Sequence, residues 1–73
     1  MQLLDVKQGK TVKIIKFGST LSYKRRLVGM GVRIGSVVKI LTKNKNNTII
    51  IGIEGVRYIL GADMVKYIEV EDD

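Results

Sequence analysis

Cysteine, histidine, tryptophan and proline are all absent from this chain of 73 residues. Without cysteine no disulfide can form, and without cysteine or histidine the usual ligands of structural zinc, iron–sulfur clusters and haem are missing. Apolar side chains must hold the fold by themselves. Long hydrophobic runs are missing too. The longest, Ile49-Ile50-Ile51 continued through Gly52 to Ile53, falls far short of the roughly 20 residues that span a bilayer. The amino-terminal residues have neither a basic n-region nor an apolar h-region, so no secretory signal is read and the cytoplasm is the expected location. Acids are scarce over most of the chain. Residues 1–66 hold all 13 Lys and Arg against Asp5, Glu54 and Asp63, while Glu69, Glu71, Asp72 and Asp73 crowd the end, so the net charge of +6 understates how basic the body is. Such a field favours acidic partners, nucleic acid or an anionic membrane face, without choosing among them. A solvated face that keeps a small domain soluble would look the same.

What is present suits a sheet. Hydrophobic residues make up 45% of the chain, and Ile, Val and Leu far outnumber the aromatics, a bias that fits pleated strands. The length admits one domain, residues 1–73, with 69–73 read as an acidic tail. Lysine alternates with apolar residues over Thr11–Phe17 until the doubled Ile14-Ile15 breaks the period, which predicts a strand with a bulge. Ser19 or Thr20 can cap a helix over Leu21–Met30, ended by Gly31 in the left-handed conformation. After Gly35, a strand over 37–42, the polar turn Lys43-Asn44-Lys45-Asn46-Asn47 and a strand over 48–53 form a hairpin. Glu54-Gly55 turns into a strand over 56–60, residues 62–65 make one helical turn, and a short strand over 67–70 closes the sheet. Five short strands with glycine turns predict a mainly β fold, a small barrel. One short helix between the first two strands favours the SH3-like form over the OB form.

Parts for catalysis are lacking. No nucleophile–base pair, carboxylate pair or metal set can be assembled from these residues, so a non-enzymatic chain is expected, with no cofactor and no metal site. Gly29-Met30-Gly31 followed by Gly35 misses the spacing of a phosphate-binding glycine loop, and turn glycines explain it better. The helix is more informative. Tyr23, Leu27 and Met30 share one stripe, while Leu21 and Val28 fall nearly opposite, flanked by Lys24 and Arg25. Either Leu21 folds back over the helix start and Val28 is covered by the chain after Gly31, or an apolar strip edged by basic residues stays open to a partner. The strand over 48–53 poses a similar choice. It is central and buried on both faces, or it leaves an edge for a further strand from a partner or a second copy.

Arg26-Leu27, then Met30-Gly31, then Gly35 form a spaced motif. Together with the opening Gly9, the short helix, the paired strands and the closing Ala62, Ile68 and Val70, it runs in an order that resembles the FeoA family of ferrous iron transport accessory proteins over residues 3–70. The same domain resembles the carboxy-terminal SH3-like domain of iron-dependent repressors. The resemblance implies a cytoplasmic protein that associates with the large membrane ferrous iron transporter, which has a GTPase domain, and is peripheral to the membrane through that partner. It places the contact surface on residues 21–33, with Leu27 matching the family's leucine. The family's transition-metal association would lie with the transporter, since a chain without His or Cys lacks the better ligands for ferrous iron. Two departures stand out. Ile34 occupies a position where relatives often carry proline, and Asn44-Lys45-Asn46-Asn47 replaces a Gly-Asp-Pro turn.

The residues expected to bind the partner are Leu21, Tyr23, Lys24, Arg25, Leu27, Val28 and Met30, with Arg26 adding to the charge. The competing reading is a small basic nucleic-acid-binding barrel. It is disfavoured because Phe17, Tyr23, Tyr58 and Tyr67 are few and scattered, so no nucleic acid partner is expected. Weak homo-oligomerisation is compatible with either reading.

Overall fold

Alternation in the sequence becomes a five-stranded antiparallel sheet in the computed structural model, which describes the backbone of residues 1–18, 21–46, 48–65 and 68–73. Side chains at 21–23, 62 and 65 also lie outside that description. The strands are β1 (Thr11–Phe17), β2 (Val37–Lys43), β3 (Ile49–Ile53), β4 (Val56–Leu60) and β5 (Ile68–Asp72). Helix α1 (Leu21–Met30) falls between β1 and β2, and a single helical turn, α2 (Ala62–Val65), falls between β4 and β5. The spatial order is β4-β3-β2-β1-β5, so neighbours in sequence pair as hairpins and β5 returns to lie beside β1. This is the SH3-like barrel expected from the glycine spacing. A short 3-10 turn at Leu3–Asp5 was not foreshadowed by any periodicity.

Inward-facing positions supply the core. Val12 and Ile14 of β1, Val38 and Ile40 of β2, Ile49 and Ile51 of β3 and Ile68 and Val70 of β5 are fully buried. Their period of two is what a sheet with one packed face demands. β3 is central, paired with β2 and β4. Only one of its faces is buried, however; Ile50 and Gly52 on the other are half-exposed. The bulge suggested by Ile14-Ile15 appears as a register shift between Ile14 and Lys16 in the pairing with β5. It leaves Ile15 pointing outward, 40% exposed.

β5 runs through Asp72 and so reaches beyond the strand anticipated from the sequence. Glu71 and Asp72 pair across from Lys13 and Val12, and Asp72 makes a 2.7 Å ion pair with Lys10. Much of what reads as an acidic tail is therefore strand. The outer edge of β5 is covered at its start: the Val70 N–H donates to the Met1 carbonyl at 2.7 Å, and Gln2 bridges to Glu69. The proposed caps Ser19 and Thr20, turn residue Asn47 and strand residue Tyr67 lie outside the described residues.

Candidate functional surface on the helix and its loop

Helix α1 ends in a hydrogen-bond pattern that decides which of its side chains face in. The Gly31 N–H donates to the Val28 carbonyl at 3.0 Å, and the Val32 N–H donates to the Leu27 carbonyl at 2.9 Å. Gly31 has φ +95°. These are the two bonds and the left-handed residue of a Schellman cap, a motif that brings the residue after the glycine against the residue four back from it. Here those two residues are Val32 and Leu27, which are 0% and 1% exposed. The close also leaves no room beside Gly31. A Cβ there would meet the Tyr58 hydroxyl at 3.1 Å.

With Leu27 turned inward, the next residue turns outward, since successive helical positions are about 100° apart. Val28 is 47% exposed, and Lys24, Arg25 and Arg26 are exposed as well. Met30 is half-buried and packs against the core. Leu27 thus belongs to the core beneath the surface rather than to the contact strip in which the sequence motif placed it. The reason is the cap, which needs an apolar partner for Val32. The chain after Gly31 does not bury Val28. Leu21 and Tyr23 lie on the helix, but their side chains are outside the described residues.

The loop from α1 to β2 adds apolar surface that the sequence reading did not assign. Ser36 N–H donates to the Arg33 carbonyl at 3.0 Å, Gly35 has φ +92° and Ile34 is not at positive φ. That is a type II turn with Ile34 at its second position, the place proline favours. The turn is held against one edge of β1 by two bonds to Ile14, with Gly35 N–H donating to the Ile14 carbonyl at 2.7 Å and Ile14 N–H donating to the Ser36 carbonyl at 2.9 Å. Arg33 N–H also donates to Ser36 Oγ at 3.1 Å. On this anchored turn Ile34 is 58% exposed, and Val37 just beyond it is 44% exposed. A shallow hollow of about 190 Å³ lies between Arg33, Val37 and the β3–β4 turn at Glu54. The signal for Ile34 was present in the sequence: an isoleucine at a position suited to proline, just before a turn glycine, has no core to enter.

Other sequence candidates are placed less suggestively. Phe17 and Tyr58 pack against the core and are half-buried, so they do not present free faces for stacking on bases. Among the described residues, no three His, Cys, Asp or Glu side chains gather closely enough to hold a metal ion. Among the same residues, no helix is long and apolar enough to cross a membrane.

Comparison with known proteins adds the lineage. The FeoA domain profile matches residues 1–72. A candidate Fe(2+) transport protein A of Methanocaldococcus jannaschii is 35% identical over 70 residues, which cover 96% of this chain and 84% of that protein. Among solved structures, an iron uptake regulatory protein, FeoA, superposes with a TM-score of 0.87 at 23% identity, covering 96% of this chain and 93% of that one. A manganese-dependent transcriptional repressor superposes with a TM-score of 0.86 at 18% identity over 93% of this chain but only 39% of its own; at that identity it shares the fold alone. From the profile match along nearly its whole length and the identity to its archaeal relative, the chain belongs to the FeoA family, whose members are accessory proteins of ferrous iron transport.

Proposed function

We propose that this chain is a cytoplasmic, non-enzymatic docking subunit that binds the cytoplasmic GTPase segment of a membrane ferrous iron transporter through α1 and the loop that follows. The observation that carries the reading is Val28, 47% exposed on α1 one turn after the exposed Lys24 and Arg25, with the exposed Arg26 farther round the helix. An exposed apolar residue edged by charge fits a contact centre with a polar rim. Ile34 and Val37 enlarge the apolar part, and the backbone bonds from the loop to β1 keep it in shape, so little ordering entropy is lost on binding.

Burying Val28 would contribute about 1–2 kcal/mol, roughly 5- to 30-fold in affinity. The three cations act mainly on the rate and orientation of encounter with an acidic surface. Iron itself is the transporter's cargo in this scheme, and the chain works by what it touches.

Binding of the purified chain to the transporter's cytoplasmic segment, measured by calorimetry, tests the proposal. Val28→Asp should weaken binding by more than about tenfold while leaving the circular dichroism spectrum and melting temperature close to wild type. If Val28→Asp and a Lys24→Glu/Arg25→Glu pair both fold and bind as well as wild type, the helix is not the contact. Salt-sensitive binding to single-stranded RNA with no binding to the transporter segment would instead favour a nucleic-acid-binding barrel.

A further inference from the structure

The two ends of the sheet are treated differently. At the β5 end, Met1 and Gln2 lie along the strand and take up part of its edge. At the β4 end, strand pairing is recorded to β3 only, and among the described residues no other backbone partner for 56–60 is found. An uncovered edge presents a row of N–H and C=O groups ready to pair with another strand. Protective devices are few here: β4 has no proline and one charge, Arg57. Ile59, 68% exposed, is the most exposed large hydrophobic among the described residues, and Val56 on the same strand is 49% exposed.

Charge decides which strand fits. A chain of net charge +6 can approach a copy of itself only where its cations are thin. Residues 46–65 carry one of the 13 cations, Arg57, against two acids, Glu54 and Asp63. Residues 67–73 carry no cation either, but there the edge of β5 is partly taken up by Met1 and Gln2, whereas residues 1–45 hold 11 of the 13 cations and would repel a second copy. The register also permits a two-fold arrangement. Antiparallel pairing of β4 with itself about Tyr58 sets Arg57 opposite Ile59 of the other copy, so the arginines do not face each other. Arg57 and Ile59 point to the same face, being two residues apart. On that face lies a hollow of about 440 Å³ lined by Lys39, Leu41, Gly52, Val56 and Arg57, among others. Each Ile59 would then reach the margin of the other copy's hollow, along the Arg57 stem.

We infer that the free edge of β4 is a self-association surface, through which two copies join their sheets into one continuous antiparallel sheet. A contact of one five-residue strand is small, so the dimer forms weakly, with a dissociation constant on the order of tens to hundreds of micromolar. The inference rests on the backbone edge of β4 and not on the exposed residues of α1, so it stands whether or not the helix docks on the transporter.

Sedimentation velocity on the full chain from about 10 μM to about 1 mM, at moderate salt, tests it over the range such an interface predicts. The expected result is a monomer that becomes a dimer with concentration, with slowed amide hydrogen exchange at residues 56–60 on the same scale. Ile59→Lys, which puts a cation on the edge, should raise the dissociation constant by at least about tenfold. Ile15→Lys, on β1, should leave it unchanged. The inference is overturned if the chain stays monomeric throughout, or if both lysine variants weaken association equally. It is also overturned if residues 56–60 gain protection only when the transporter segment is added, since the edge then belongs to that partner.

Discussion

Leu27 and Val28 are adjacent, apolar and similar in size, yet the Schellman cap sends one to 1% exposure and leaves the other at 47%. Their truncations should therefore separate cleanly. Leu27→Ala removes buried volume from the core and should cost about 2–5 kcal/mol, read as a lowered midpoint in urea. Val28→Ala touches little in the free protein and should stay within about 0.5 kcal/mol of wild type. In the docking proposed above, the order at matched folded concentration should reverse, because Val28 and not Leu27 is on the surface. Leu27, which the resemblance matches to the family's leucine, is in this chain a core residue beside an exposed neighbour. The sequence motif made Leu27 recognisable but could not show that its side chain answers to Val32.

At the scale of elements, the β3–β4 turn shows a backbone conformation met by an unsuited residue. Glu54 and Gly55 have φ +49° and +83°, and Ile53 pairs with Val56 around them. This is the two-residue type I′ hairpin, which asks for positive φ at both positions. Glycine meets that at no steric cost, but glutamate does not. Glu54→Asn should therefore raise stability by about 0.5–1 kcal/mol, measurable as a rise in melting temperature with an unchanged spectrum. The strands themselves were legible, because alternation at Val12 and Ile14 or Val38 and Ile40 reports directly on one packed face. Their ends were less so. β5 extends to Asp72 because β1 offers partners as far as Val12 and Lys10 offers an ion pair, and neither neighbour is visible from the acidic residues alone. The pair itself is exposed and contributes less than about 1 kcal/mol.

For the whole molecule, the separation of charge from apolar contact sets how binding should respond to conditions. Because the exposed Lys24, Arg25 and Arg26 act at a distance and Val28 acts on contact, salt should affect mainly the association rate. Raising ionic strength from about 0.05 to about 0.5 M shrinks the screening length from roughly 14 to roughly 4 Å. The association rate with the transporter segment should then fall by about tenfold or more while the dissociation rate changes little, as stopped-flow mixing would show. Self-contact, by contrast, is favoured where cations are few, as over residues 46–65, which carry Arg57 alone.

Composition and periodicity alone determined that this chain is a small mainly β domain without disulfides, with one helix between its first two strands. Hydrophobic alternation and turn glycines act locally and need no distant neighbour to be read. Which face of β3 is covered, whether Val28 meets solvent, where Ile34 points and which sheet edge stays open were decided by tertiary structure. Each of those depends on residues far away in sequence: Tyr58 against Gly31, Ile14 holding the loop turn, and Met1 lying along β5 while no described backbone pairs with the outer edge of β4. Solvent exposure is a property of the packed neighbours of a residue, and only the fold says who they are.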